Sequence, residues 1–464
     1  MTKIVCTIGP KTESFEMLQK LAEAGMNVAR LNFSHGNYAE HGERIKRIKE
    51  LNKKLLHPIA ILLDTQGPEI RTGILKEDIK LTAGDKFTFT VADKCEGKMG
   101  TTITYKQLVK DVKKGDIIFV DDGMLEFEVQ SVVGDEVRCK VLNSGILSSR
   151  KGVNIPGIDI KLPALSEKDV EDIKFGIKND VDYIAVSFVR RPEDVTNLRK
   201  FVREQGADTL ILAKIEHMDA VNNFDAILDV SDGIMIARGD LGVQVPYEEI
   251  PTIQRNLIMK CNKAGKPVIT ATHMLNSMTE YPRPTRAEVS DVANSVLNGT
   301  DAVMLSAESA KGKYPIESAA AMDKICRAIE KTMESNIGKL NEGKGVPEII
   351  ARAVAQSAEV VGAKAITTFT ITGNTAQNIS KFRTKVPIFA MTTSDKIIRA
   401  TSLFWGVYSF KMREYSSTDE MIKDGILSLK KKSLIAKDDL VVITCGVPLG
   451  KAGMTNLAEI RSVE

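Results

Sequence analysis

Lys214 and Glu216 stand two residues apart in the stretch LILAKIE, so on a strand their side chains leave from the same face. The apolar LILA run points to a half-buried position, where a lysine needs an anionic partner to keep its proton. Asp240 closes the next apolar run, GIMIARGD. Two carboxylates from neighbouring strands, with room for water and substrate oxygens, suit Mg2+ or Mn2+, which prefer oxygen ligands. Metal, lysine and arginine together suit a phosphorylated, carboxylated substrate whose developing charge needs stabilising. A plain Lys214–Glu216 ion pair is the structural alternative. LLDTQGPEIRTG, residues 62–73, poses a second choice: Asp64 can be a catalytic acid, a metal ligand or only the polar end of a strand.

The elements that position these residues alternate. Short Val/Ile/Ala-rich runs (KIVCTIG, MNVARLNF, PIAILLDT) are each followed by an amphipathic stretch, the pattern of parallel strands joined by crossover helices. At Gly67-Pro68 it changes to runs such as KFTFTVA, DIIFVDD, LEFEVQSVV and EVRCKVLN, divided by Gly and Asp turns, which reads as an all-β insertion. The first pattern resumes at a capping box, Ser166 to Asp169, and continues through DYIAVSF, LILAKIE, GIMIARGD, PVITATH and AVMLSAE. Three strands before and five after make a (β/α)8 barrel, whose active site belongs at the C-terminal ends of its strands. Those ends are polar: Arg30, Asn32, Ser34 and His35; Asp64 and Thr65; Ser187; Lys214 and Glu216; Arg238, Gly239 and Asp240; Thr272 and His273; Ser306 and Glu308.

Past about residue 340, a linker leads to helix-strand alternation again (AVAQSAEVVGA, ITTFTITG, NTAQNISKFR, VPIFAMTT, DLVVITCG), expected to be a small α/β domain. The expected division is therefore 1–67 barrel, 68–163 inserted β-barrel lid, 164–340 barrel, and 341–464 C-terminal α/β domain. A chain of 464 residues is long enough for several cores. Net charge is +3, with Lys and Arg nearly matched by Asp and Glu and no dense basic block, which argues against nucleic acid. No apolar run reaches the ~18 residues of a membrane span. The first ten residues lack an h-region and cleavage site, and six scattered cysteines lack C-x-x-C spacing; a reducing cytoplasm is expected, without disulfides or a zinc site.

KIVCTIGP, MNVARLNFSHG, LLDTQGPEIRTG, KGVNIPG, AKIE, SDGIMIARGDLGV, ITATHML and PRPTRAEVSDVANSVLNGTDAVMLSAESAKGKYP together resemble the pyruvate kinase family, in order and spacing, over essentially the whole chain. The length resembles the compact bacterial members. The resemblance implies phosphoryl transfer from phosphoenolpyruvate to ADP, giving pyruvate and ATP. Glu216 and Asp240 would hold Mg2+ or Mn2+, helped by the backbone of Gly239. Lys214 would stabilise the phosphoryl group in flight and the enolate, Arg30 would grip that phosphoryl group, and Thr272 would contact substrate near the route of the final proton. A water chain past Thr272, Ser306 and Glu308 is expected to deliver that proton. Phosphoryl transfer needs positioning and charge stabilisation and no covalent enzyme intermediate, which agrees with this residue set.

By the same resemblance Asn32, Ser34, Asp64 and Thr65 would form an oxygen cage for K+, and Glu69 marks a K+-requiring member. Gln66 departs from the Lys common in relatives, leaving one fewer positive charge beside the phosphates. Asn32, His35, Arg71 and Lys151 would contact the nucleotide, with Pro68 and Pro163 as stiff points at the hinges of a lid that closes over the barrel mouth. PRPTRAEVSDVAN, with its Thr285–Glu288 capping box, resembles a segment near a subunit contact in a homotetramer. In TITGNTAQ, the residues Thr370, Thr372, Gly373, Asn374 and Thr375 offer amides and hydroxyls to an anion, or simply cap a helix. The resemblance makes them the phosphate loop of an effector site closed by residues 446–456. Its expected ligand is a phosphorylated sugar such as fructose 1,6-bisphosphate, with AMP or another sugar phosphate as alternatives. A phosphocarrier-histidine enzyme is disfavoured because His35, His41, His57, His217 and His273 all fall in the barrel; a metal-dependent lyase leaves Arg71, Lys151 and the lid unexplained; a dead sensor would have lost its metal ligands.

Overall fold

The computed structural model describes residues 1–95, 97, 99–121, 123–158, 165–340, 345–451 and 453–464. Pro163 and the expected boundaries at 163/164 and 340/341 touch or lie outside these residues. Eight parallel strands close into a barrel: β1 (Lys3–Thr7), β2 (Met26–Asn32), β3 (Ala60–Asp64), β4 (Tyr183–Val186), β5 (Leu210–Ile215), β6 (Gly233–Ala237), β7 (Val268–Ala271) and β8 (Ala302–Leu305). Each pairs with the next in chain order and β8 returns to β1. Alternate residues divide between two cores, as the two-residue strand period demands. Val5, Val28, Leu62, Tyr183, Leu212, Met235, Ile269 and Met304 fill the barrel interior. Ile4, Leu31, Ile61, Ile184, Ile211, Ile234, Val268 and Val303 pack outward on the helices.

Between β3 and β4 the chain leaves the barrel for the inserted sheet. Its strands Lys86–Thr90, Ile117–Val120, Leu125–Val133 and Glu136–Val141 are the ones legible in the sequence; Gly100–Thr102 and Val153–Asn154, too short to carry a pattern, extend it to six. A two-stranded ladder, Ile79–Leu81 with Gly145–Leu147, and a one-turn helix at Leu108–Asp111 complete the unit. Arg71 bridges Gly152 beside one edge strand, and Thr72 bridges Ile103 beside the other. The sheet therefore curls until both edges meet on the segment that enters it. Phe87, Phe89 and Phe127 form its aromatic centre, with ring centroids 5.0–5.1 Å apart.

The C-terminal unit has a five-stranded sheet, with β9 (Ala365–Phe369), β10 (Ile388–Thr392), β11 (Val407–Lys411), β12 (Leu440–Gly446) and β13 (Thr455–Ser462) ordered β11-β10-β9-β12-β13. β11 and the antiparallel β13 went unseen in the sequence, and Thr455 and Asn456, expected in a closing loop, begin β13. This unit seals the N-terminal end of the barrel. Arg383 reaches Asp301, just before β8, at 2.8 Å; Arg399 reaches Asp182, just before β4, at 2.8 Å; Tyr183 donates to the carbonyl of Ala400 at 2.5 Å. The C-terminal strand ends are thereby left to the lid and solvent. Among the described residues no helix is long and apolar enough to cross a membrane.

Candidate active site

Five strand ends converge on one buried charge cluster. Lys214 Nζ, on β5, donates to Ser187 Oγ at 2.6 Å and stands 2.9 Å from Glu216 Oε1 and 3.0 Å from Asp64 Oδ1. Asp64, at the end of β3 and fully buried, accepts from Arg30 Nε at 2.6 Å through its other oxygen. Arg30 also donates to Thr7 Oγ1 at 2.9 Å, which joins β1 to the cluster. Burial alone would strip the proton from Lys214, but Asp64, Glu216 and Asp240 outweigh it and hold the ammonium above the usual lysine range. Burial likewise pushes Asp64 up; Lys214 and Arg30 together overcome it and keep the carboxylate below its ordinary value. The Lys214–Glu216 ion pair, the structural alternative, is real, but it is one edge of a larger network.

Glu216 accepts the backbone N–H of Phe188 at 2.6 Å, and burial pushes its carboxyl up to about 7, with Asp240 adding to the shift and Lys214 opposing it. Asp240 lies in the first turn of the helix Arg238–Gln244 and lines the cleft beneath the lid. Among the described residues no group of three or more His, Cys, Asp or Glu is arranged to hold a metal ion by itself. A metal held by Glu216 and Asp240 would need its remaining ligands from backbone, water or substrate oxygens, which suits a hard, hydrated divalent ion.

The turns after β4 and β7 carry unusual backbone. Phe188 (φ 54°), Thr272 (φ 68°) and His273 (φ 54°) occupy the left-handed region, which costs a residue with a side chain about 1–2 kcal/mol and recurs at functional sites. The Thr272 hydroxyl accepts Gly239 N–H at 2.7 Å and donates to the Ala271 carbonyl at 2.6 Å. Arg238 holds this turn by donating to the Thr272 carbonyl at 2.8 Å while pairing with Asp291 at 2.6 Å. Arg238 was visible in the sequence only as one more polar strand end; its link to Asp291, 53 residues on, has no local signature. Ser187 was visible in the same way, and nothing in the sequence tied it to Lys214.

Glu308, expected in a proton relay, accepts Leu275 N–H at 3.1 Å and Ser306 N–H at 2.8 Å through its carboxylate, which ties the turns after β7 and β8 together. Ser306 Oγ is buried and makes no hydrogen bond to any described residue. Asp64, which the resemblance assigns to the K+ cage, faces two cations in the structure, Arg30 and Lys214. Its neighbours do cluster: Asn32 Oδ1 accepts Ser34 N–H at 3.1 Å, and the Thr65 carbonyl accepts Ser187 Oγ at 2.7 Å.

A cleft of about 490 Å3 separates the lid from the barrel mouth. Arg71 and Lys151 line it from the lid and His35 from the barrel, three of the four residues expected to contact the nucleotide; Asn32, the fourth, is not in its lining, whereas Asp240, Arg150, Arg190 and Lys311 are. Glu69 pairs with Arg71 at 2.5 Å, and Lys151 with Asp121 at 2.9 Å. Gln244 donates to Asn154 at 3.0 Å across the barrel-lid boundary. A second cleft, about 640 Å3, lies in the C-terminal unit and is lined by Thr370, Thr372, Asn374 and Thr375 together with Arg413 and Lys451. Gly373, with φ 87°, turns this loop into the helix Asn374–Ser380 and donates its N–H to Thr370 Oγ1 at 2.9 Å.

Comparison with known proteins places these features in a family. Residues 1–319 match the model of the pyruvate kinase barrel domain, and residues 348–461 that of the pyruvate kinase alpha/beta domain. The chain belongs to the pyruvate kinase family. A pyruvate kinase of Clostridium acetobutylicum is 45% identical over 100% of this chain and 99% of its own length; that of Bacillus licheniformis is 48% identical over 100% of this chain and 80% of its own. The crystal structure of a pyruvate kinase from Cryptosporidium parvum superposes with a TM-score of 0.94 at 39% identity, covering 100% of this chain and 96% of that one. The protein is thus a metal-dependent phosphotransferase of glycolysis acting on phosphoenolpyruvate and ADP, with pyruvate and ATP as products.

If Glu216 is a ligand of the catalytic cation, it must be ionised to bind it, and metal affinity should follow its titration. Between pH 6 and 7 apparent Mn2+ affinity is expected to tighten by up to about tenfold per pH unit, flattening above pH 7.5. Equilibrium Mn2+ titrations of the resting enzyme across that range check it; equal affinity at pH 6 and 8 would contradict a raised Glu216.

Proposed function

We propose that this pyruvate kinase works through the Asp64-centred cluster: Arg30 grips the phosphoryl group of phosphoenolpyruvate, and Lys214 offsets charge on that group in transit and on the enolate left behind. The observation that carries the reading is the convergence of Arg30 and Lys214 on one buried carboxylate at the open end of the barrel. Both cations are oriented before substrate arrives, so little reorganisation is needed when charge develops. Glu216 and Asp240 would hold Mg2+ or Mn2+, with Gly239 helping to seat the substrate, and the metal would supply positive charge to offset that of the phosphorylated substrate. Asn32, Ser34, Asp64 and Thr65 would hold K+, whose positive charge would add to that of Arg30. Asn32, His35, Arg71 and Lys151 receive ADP in the cleft below the lid. Closure about Pro68 excludes water that would otherwise take the phosphoryl group.

Enolpyruvate then gains a proton at carbon. The Thr272 hydroxyl, fixed between Gly239 N–H and the Ala271 carbonyl, supports a route by way of water past Thr272 and Ser306. In the C-terminal cleft, Thr370 to Thr375 with Arg413 and Lys451 suit a phosphorylated sugar, fructose 1,6-bisphosphate first and AMP or another sugar phosphate second. The enzyme acts as a cytoplasmic homotetramer, with the segment 282–294 near a subunit contact. A coupled assay of pyruvate formation from phosphoenolpyruvate and ADP tests the set. Activity is expected to need Mg2+ or Mn2+, to fall sharply in K+-free buffer, and to show a lower phosphoenolpyruvate requirement with fructose 1,6-bisphosphate. Full activity without K+ removes the cage, and indifference to every phosphate tried removes the effector reading.

A further inference from the structure

The lid is covalently tied to the barrel at two crossings, one leaving β3 through Thr65, Gln66 and Gly67, the other returning to the helix Glu167–Lys178. One carboxylate touches both. Asp169, fully buried, accepts Gly67 N–H through Oδ1 at 3.0 Å. Its Oδ2 accepts the backbone N–H of Ser166 at 2.9 Å and the Ser166 hydroxyl at 2.6 Å. An N3 carboxylate reaching back to its own cap is an ordinary capping box. Using the other oxygen to bind a residue 102 positions earlier, at the opposite crossing, is not required by the cap.

The outgoing crossing is also pressed against the reaction site. Gly67 has φ 76°, and a Cβ there would lie 2.7 Å from both Ser187 and Phe188. Those two residues hold the chemistry: Ser187 Oγ receives Lys214 and bonds the Thr65 carbonyl, while Phe188 N–H holds Glu216. From the same helix, Lys168 donates to the Phe33 carbonyl at 2.6 Å, in the loop between Asn32 and Ser34, and to Asp172 at 2.7 Å. The helix at the lid's return is therefore bonded to the exit hinge and to the Asn32–Ser34 loop.

We propose that Asp169 is a positioning residue for phosphoryl transfer, a clamp that fixes the two lid crossings to each other so that the lid swings as one body about a pivot seated on Ser187 and Phe188. It touches no substrate. Without it, Gly67 and the outgoing strand can move independently of the return helix, and the closed lid seals less well. Water can then replace the β-phosphate oxygen of ADP as the nucleophile. The phosphorus–oxygen bond to enolpyruvate breaks as before, and inorganic phosphate and pyruvate form in place of ATP and pyruvate.

The inference rests on the proposed lid closure, and the test separates the two. Wild type, Ser166→Ala, Asp169→Asn and Asp169→Ala are compared for the ratio of pyruvate to ATP produced and for the KM of each substrate. The product ratio does not depend on how much of a preparation is folded. Ser166→Ala removes only the capping hydroxyl, and Asn at 169 retains an acceptor for Gly67 N–H, so both should keep a ratio near one. Asp169→Ala should raise the ratio at least about threefold and the KM for ADP about tenfold, with the KM for phosphoenolpyruvate changed far less. A ratio of one in Asp169→Ala, or equal effects in Asp169→Ala and Ser166→Ala, overturns the clamp and leaves the catalytic assignments standing; no pyruvate from wild type overturns those assignments instead. If Asp169→Ala yields no folded protein, amide exchange in the wild type decides. Gly67 should stay protected with and without substrates, and exchange as fast as in exposed lid loops rejects the clamp.

Discussion

Lys214→Met is expected to lower kcat by about 10^3-fold or more, equivalent to ~4 kcal/mol of transition-state stabilisation, while leaving the KM for ADP within about threefold. Methionine fills nearly the same volume but carries no charge. The phosphoryl group in transit and the enolate would lose the ammonium that Ser187, Asp64 and Glu216 hold in place. Arg71 and Lys151 lie in the lid cleft outside this network, so nucleotide binding should be nearly untouched. Loss confined to kcat is the signature of an interaction made chiefly in the transition state. Steady-state kinetics with each substrate varied in turn check it, and a variant that lost affinity for ADP with kcat intact would move Lys214 out of the chemical step.

Asp64→Asn should cost about 10^2- to 10^3-fold in kcat, and about 3–5 kcal/mol of stability, because removing one partner strands buried charge. Asn is isosteric, but its amide offers a donor where Arg30 or Lys214 now finds an acceptor. The two cations would repel across a site with Glu216 as their nearest remaining counter-charge. The K+ needed for half-activation should rise, since the cage loses its carboxylate. The neutral-range shape of the pH–rate profile should not change: Arg30 and Lys214 hold Asp64 ionised well below neutrality, so its titration contributes no limb there. Kinetics from pH 6 to 9 and thermal unfolding read these effects. A vanished pH limb would return Asp64 to the role of proton donor.

How far each feature was legible depends on the range of the interaction that makes it. Lys214 and Glu216 sit on one strand with period two, so their shared face needed no fold, and the Ser166 and Thr285 capping boxes form as their S/T-x-x-D/E spacing dictates. Most barrel strands announced themselves because they are short, mainly apolar runs buried on both faces, β2 with Arg30 and Asn32 being the most polar of them. β11 and β13 did not: VYSFK mixes polar and apolar residues, and β13 is an exposed edge whose alternation reads as loop. Thr272 and His273 were legible as polar residues at a strand end, but their left-handed backbone runs against the local preference of a β-branched threonine. Arg238 and Gly239, from the neighbouring strand end, impose it.

The residue types for phosphoryl transfer, the count of eight βα units and the place of the insertion are properties of pattern and spacing, which survive projection onto one dimension. What each charge faces is not. Arg30, Asp64 and Lys214 come from three strands, and only closure of the barrel makes Asp64 the shared partner of both cations. Closure also made Glu308 a tie between two turns, and gave Asp169, written as a helix cap, its second bond at the far crossing of the lid. Burial then sets protonation: the same surroundings hold Lys214 charged, Asp64 ionised and Glu216 close to titration at neutral pH. Chain order can name such groups, but the electrostatic energy that assigns their states falls off with distance in space and is blind to distance along the chain.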